Sequence, residues 1–171
     1  MFKGINNQYD FKKSTQAMDQ LVTDAHVIWL RTHLIHWIMQ NDRTSQADFL
    51  IAHDWYDKPL DWFVDFIDDV AERMVQLNGV PTATLQALLD NTNIKEEQFS
   101  YQQYTLDQLI QFTINDFKTF RDEISDSIDI LNNDGDVSDG NKLQDYLSDI
   151  NKFIWFLTAT IGQNTLDNSN H

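Results

Sequence analysis

The 171-residue sequence predicts an all-α fold, a bundle of four long helices with one short helix in the connection between the second and the third. Three observations predict it. Apolar residues recur at three- and four-residue steps through four long stretches. Only 5 Gly and 2 Pro interrupt the chain, too few for a sheet-rich fold full of tight turns. At 42% apolar content one domain can bury a core of its own, and no internal repeat or second domain is evident.

Helix A is expected from Ser14 to about Gln40, with Met18, Leu21, Val22, Ala25, Ile28, Trp29 and Leu34 on its apolar stripe. The polar run from Asn41 to Ser45 stops that pattern and offers Thr44 or Ser45 as the next N-cap. Helix B follows from about Gln46 to Asn78, closed by Gly79. Pro59 lies inside it, removing one backbone donor and crowding the carbonyl of Trp55, so the helix should kink there or restart with Asp57 as a cap. A short helix is expected between Thr82 and Asn91, its first turn preset by Pro81. Helix C spans about Leu106 to Leu131, a turn-rich loop runs from Asn132 to Gly140, and helix D continues to Ile161. The chain thus divides into a basic extension (1–13), the bundle (14–162) and a polar tail (163–171).

No cysteine is present, which excludes thiolate metal sites and cysteine nucleophiles and leaves nitrogen and oxygen as metal ligands. The start has no signal-peptide layout and no apolar run is long enough to span a membrane, so a soluble cytoplasmic protein is expected. A net charge of -15 should repel nucleic acid over most of the surface and attract cations. The one basic spot is the N-terminus, where Lys3, Lys12 and Lys13 face a single Asp10.

Two groups of residues could carry chemistry. His33 and His36, followed by Trp37, lie three apart near the end of helix A; they suit a metal, or simply packing at a helix end. On helix B, His53, Asp57, Asp68 and Glu72 fall within a sector of about 100° if the helix is continuous. Asp68 and Glu72, one turn apart, would repel unless a cation neutralised them, although a solvated acidic stripe fits the same pattern.

These residues resemble the Dps family, the miniature ferritins named as DNA-binding proteins from starved cells. His33, His36 and Trp37 stand like the family's helix A histidines, and His53 precedes Asp68 by 15 residues and Glu72 by 19, as in its second-helix motif. The run from Asp68 to Arg73 is the most characteristic piece, and residues 75–85 and 151–156 match in order. The resemblance implies a ferritin-like bundle in a hollow homo-dodecamer that oxidises Fe(II), preferably with hydrogen peroxide, stores Fe(III) and so protects DNA. It implies that His36 and His53 bind iron from one subunit and Asp68 and Glu72 from its two-fold neighbour. Asp57 takes an accessory acidic position and His33 a secondary metal position. Zinc is a substitute for iron, since mixed imidazole and carboxylate ligands take either.

The sequence departs from the family in two places: the 17 residues from His36 to His53 exceed the usual spacing by about five, and Pro59 sits within helix B; both bear on His53. In the family, acids near the start of helix D line three-fold pores, which makes Asp134, Asp136, Asp139 and Asp145 candidates, beside a plain solvated loop. The same acids miss the EF-hand register. The resemblance also offers Lys3, Lys12 and Lys13 as DNA contacts multiplied by many copies of the subunit, with association with the nucleoid as a corollary. His26 is expected to pack or hydrogen-bond. Trp29, Trp55, Trp62 and Trp155 are simplest as core or interface anchors, although tryptophans near iron can also quench radicals. The alternatives to a working ferroxidase are a DNA-binding structural nucleoid protein of the same cage architecture and an acidic helical interaction protein.

Overall fold

The computed structural model describes residues 11–95 and 103–163. Six helices and no strands occur among them: α1 (Lys12–Ile38), α2 (Phe49–Trp55), α3 (Asp57–Gln76), α4 (Leu85–Asn91), α5 (Leu106–Asp134) and α6 (Val137–Thr160). The expected helix B is α2 and α3 together, so the four long elements are α1, α2–α3, α5 and α6, with α4 in the crossover. Their apolar stripes meet in one core, where Met18, Leu21 and Ile28 of α1, Phe63 and Phe66 of α3, Phe117 and Phe120 of α5 and Ile150 of α6 are fully enclosed. Each such side chain contributes about 1.5–3 kcal/mol on leaving water, which far exceeds what helix propensity alone supplies.

Pro59 acts where the sequence places it. Tyr56 separates α2 from α3 while keeping right-handed helical dihedrals (φ -62, ψ -21), so the axis bends and does not turn away. The restart is not capped by Asp57, because Asp57 is already helical and the flanking Tyr56 makes no side-chain cap. Lys12 and Lys13 also lie in the first turn of α1, which begins two residues before Ser14.

Three connections differ from expectation, each for an identifiable reason. The loop expected from Asn132 to Gly140 shrinks to Gly135 and Asp136: Gly135 adopts φ 87, a left-handed cap that suits glycine, and Asp136 accepts from the backbone N–H of Asp139 to start α6. Asp134 reaches across to accept from the backbone N–H and hydroxyl of Ser14, at 3.0 and 3.1 Å, which caps α1 from a distant part of the chain. The short helix starts at Leu85, after a Thr84 cap, because Thr82 gives both its backbone N–H and its hydroxyl to Asp19, at 2.7 and 2.9 Å. At the end of α3 the left-handed residue is Asn78 (φ 64), while Gly79 leaves room for Thr15, whose Cγ2 would lie 3.0 Å from an added Cβ.

Candidate metal centre

The segment between α1 and α2 is what brings the histidines together. Asp42 organises it by accepting from the backbone N–H and hydroxyl of Thr44 and from the Ser45 hydroxyl. Asp107, at the start of α5, accepts from the backbone N–H groups of Gln46 and Ala47 and ties the segment to the bundle. Asp48 then caps α2 through the N–H groups of Leu50 and Ile51. The longer connection is thereby absorbed, and α2 returns His53 to His36 with ring centroids 4.1 Å apart.

Burial first, and then the neighbouring His53, hold the His36 imidazole below its ordinary value, so it is neutral near pH 7; Asp57 acts in the opposite direction. Nδ1 of His36 is buried with no hydrogen-bond partner. A buried polar nitrogen without a partner costs stability, and beside a second imidazole its lone pair suits a metal ion. One turn back, His33 lies between Trp29 and Trp37, with centroids 4.6 and 5.2 Å away, and its Nδ1 is buried and unpartnered in the same way. His26 differs, since its Nδ1 meets the Val22 carbonyl at 2.7 Å, the hydrogen-bonding role expected of it.

Asp57, Asp68 and Glu72 are exposed. Asp68 and Glu72 follow His53 by 15 and 19 residues, about 22 and 28 Å along a helix rising 1.5 Å per residue, so one chain cannot bring them to its own histidines. No group of three or more His, Asp or Glu side chains that could hold a metal ion occurs among the described residues. The structure therefore joins His36 with His53, puts Asp57 near them, and leaves Asp68 and Glu72 facing outward on α3.

The acids at the α5–α6 turn have several roles within the chain. Asp134 caps α1, Asp136 caps α6, and Asp139 is nearly buried in a two-pronged pair with Arg73, at 2.7 and 3.0 Å. Burial and then the charge of Asp139 push Asp136 up to about 6. Asp145 is exposed on α6. Lys12 and Lys13 are exposed, and Lys3 lies outside the described residues. Sequence reasoning missed the Arg73–Asp139 pair, although a lone arginine inside an acidic helix is a signal that an acid partner exists elsewhere.

Comparison with known proteins agrees with this architecture. The ferritin-like domain family matches residues 15–166. The chain is 29% identical to general stress protein 20U of Bacillus subtilis over 86% of its own length and 96% of that protein's. It is 27% identical to the DNA protection during starvation protein of Listeria innocua, covering 89% of this chain and 94% of the relative. The structure of Dps from Listeria innocua soaked with zinc superposes with a TM-score of 0.81 at 27% identity, covering 90% of this chain and 99% of that one. No helix among the described residues is long and apolar enough to cross a membrane. The chain belongs to the ferritin-like family, as a member of its Dps branch.

Proposed function

We propose that the protein is an iron-storing ferroxidase of the Dps type, which oxidises Fe(II), preferably with hydrogen peroxide, and keeps Fe(III) inside a dodecameric cage, protecting DNA. The observation that carries this reading is the contact between His36 and His53, two imidazoles 4.1 Å apart, one of them holding a buried nitrogen with no partner. His36 and His53 bind Fe(II) as neutral nitrogen donors, and Asp68 and Glu72 of a two-fold partner supply the oxygen donors that the harder Fe(III) prefers. Two Fe(II) ions together deliver two electrons to one peroxide, whose O–O bond splits to hydroxide, and the two Fe(III) ions hydrolyse with water to ferric oxyhydroxide and release protons. Asp57 tunes the pair, His33 offers a second nitrogen site, and zinc competes for the same donors.

Several features support the rest of the reading. The charge of -15 favours cation entry, with Asp145 as the exposed member of the proposed pore acids and Asp134, Asp136 and Asp139 held by partners within the chain. Lys12 and Lys13 are exposed at the root of the basic extension, which is the proposed DNA contact along with Lys3 in a cytoplasmic, nucleoid-associated assembly. The test is stopped-flow absorbance of Fe(II) mixed with peroxide, comparing wild type with Glu72→Gln. Slower oxidation with an intact cage in light scattering is expected, and unchanged kinetics would remove Glu72 from the centre.

A further inference from the structure

His53 is mounted on a helix too short to hold itself. α2 has seven residues, well under the roughly 12–15 that an isolated helix needs in water, so its placement is set at its two ends. The exit is fixed by the fully buried Tyr56, whose hydroxyl donates to Thr113 of α5 at 2.7 Å. The entry is fixed by Asp107 of α5, whose two carboxylate oxygens accept from the backbone N–H groups of Gln46 and Ala47 at 2.8 and 3.0 Å. Its own backbone N–H donates to the Ser45 hydroxyl at 3.2 Å, and that hydroxyl donates to Asp42 at 3.1 Å. Both fixed points therefore stand on one helix, six residues apart in sequence and about 9 Å along its axis.

α5 does not need Asp107 for its own start, which is closed by the reciprocal capping box of Thr105 and Gln108. The carboxylate is used on the connector instead. Two N–H groups converging on one side chain call for two acceptor oxygens, and asparagine offers one oxygen and an amide NH2 that would face a donor. The Gln46 side chain also lies against Gly162 at the end of α6, where an added Cβ would collide with it, so the connector is seated on two elements of the bundle.

We propose that Asp107 is a positioning residue for the metal centre, holding the entry to α2 so that His53 meets His36, an assignment that rests on the metal reading of that pair. The route is short. Asp107 fixes Gln46 and Ala47, the next residue Asp48 caps α2 by accepting from the N–H groups of Leu50 and Ile51, and His53 follows within the same short helix. Without the carboxylate, the two N–H groups turn to water and the cap loses its fixed direction. His53 then drifts from the 4.1 Å ring contact with His36, while α3, which begins beyond the Tyr56–Thr113 bond, keeps its place. A metal–imidazole bond is about 2.0–2.1 Å long and tolerates little drift, so metal affinity falls while the bundle stands.

The test is titration of the assembled, iron-free full-length protein with cobalt(II), followed by the visible absorption of the bound ion. Hydrogen–deuterium exchange of the metal-free protein is read in parallel on peptides covering residues 46–55. Asp107→Ala is expected to weaken cobalt binding about tenfold and to speed exchange over α2, with exchange over α3 and the circular dichroism as in wild type. Asp107→Asn, which keeps one acceptor, falls between, and it carries the comparison should the alanine variant fail to assemble. Asp19→Ala removes the matching anchor of Thr82 from the connection before α4 and is expected to leave cobalt binding unchanged. Wild-type cobalt affinity in the Asp107 variants overturns the proposal, as does an equal loss in Asp19→Ala, which would mark a general loosening of the bundle. If His53→Ala binds cobalt like wild type, the metal reading fails by itself, and exchange alone then decides: faster exchange over α2 in Asp107→Ala supports the anchor, and unchanged exchange overturns it.

Discussion

Replacing Glu123 with glutamine should stabilise the protein in mildly alkaline solution and flatten the dependence of its stability on pH. Glu123 of α5 faces Asp24 of α1 and the Asn93 side chain, and its Oε2 is buried without a hydrogen-bond partner. Asp24 is itself fully buried and accepts from Gln20 Nε2, the Thr92 hydroxyl and the Asn93 backbone N–H, at 2.7, 2.6 and 2.8 Å, which pins the segment after α4 onto the bundle. Burial first, and then the charge of Asp24, push Glu123 from 4.5 up to about 8. The unfolded chain therefore gives up this proton near pH 4.5 and the folded chain near pH 8. Between those values the folded state binds the extra proton, so this contribution is full below pH 4.5, declines as pH rises and is lost above about 8. The interval corresponds to a ceiling of about 5 kcal/mol, which partial exposure of Glu123 reduces to about 2 kcal/mol. Glutamine keeps a neutral donor beside Asp24 at every pH. Urea denaturation of wild type and Glu123→Gln from about pH 5 to about pH 9, at equal protomer concentration, should give curves that diverge by about 2 kcal/mol at the alkaline end. Parallel curves would refute the reasoning, because the pair would then carry no proton of its own.

Two other substitutions probe the interior. Tyr56→Phe removes the partner of a buried Thr113 hydroxyl and should cost about 1–2 kcal/mol in chemical denaturation, with the far-ultraviolet circular dichroism unchanged. Arg73→Ala leaves the nearly buried Asp139 without its two-pronged partner and should cost about 2 kcal/mol, since Arg73 is itself partly exposed; Arg73→Lys, which lacks the planar fork, should recover only part of the loss.

The features legible in the sequence were those written in local patterns. Three- and four-residue spacing located α1, α5 and α6 to within a few residues, and Pro59 marked the bend at Tyr56. Polar residues misled where they serve distant parts of the chain: Asn132, Asp134 and Asp136 look like loop formers, yet Asp134 ends one helix while capping another 120 residues away. Thr82 fails as a helix start for the same reason, being held by Asp19. At the candidate centre the histidine pair was readable from His36 and His53, whereas Arg73–Asp139, Trp62–Asp149 and Tyr146–Asp69 were not. Those pairs join residues 66, 87 and 77 positions apart, and nothing in a local pattern names the partner.

The interruption at Tyr56 makes α2 a short cassette between two separately anchored neighbours, the segment tied to Asp107 on one side and the long α3 on the other. Inserting or deleting residues between Met39 and Ala47 can then re-aim His53 without disturbing the frame on which Asp68 and Glu72 are mounted. The position of His53 is thereby free to vary in length and pitch while Asp68 and Glu72, the proposed carboxylate ligands, stay on a fixed frame.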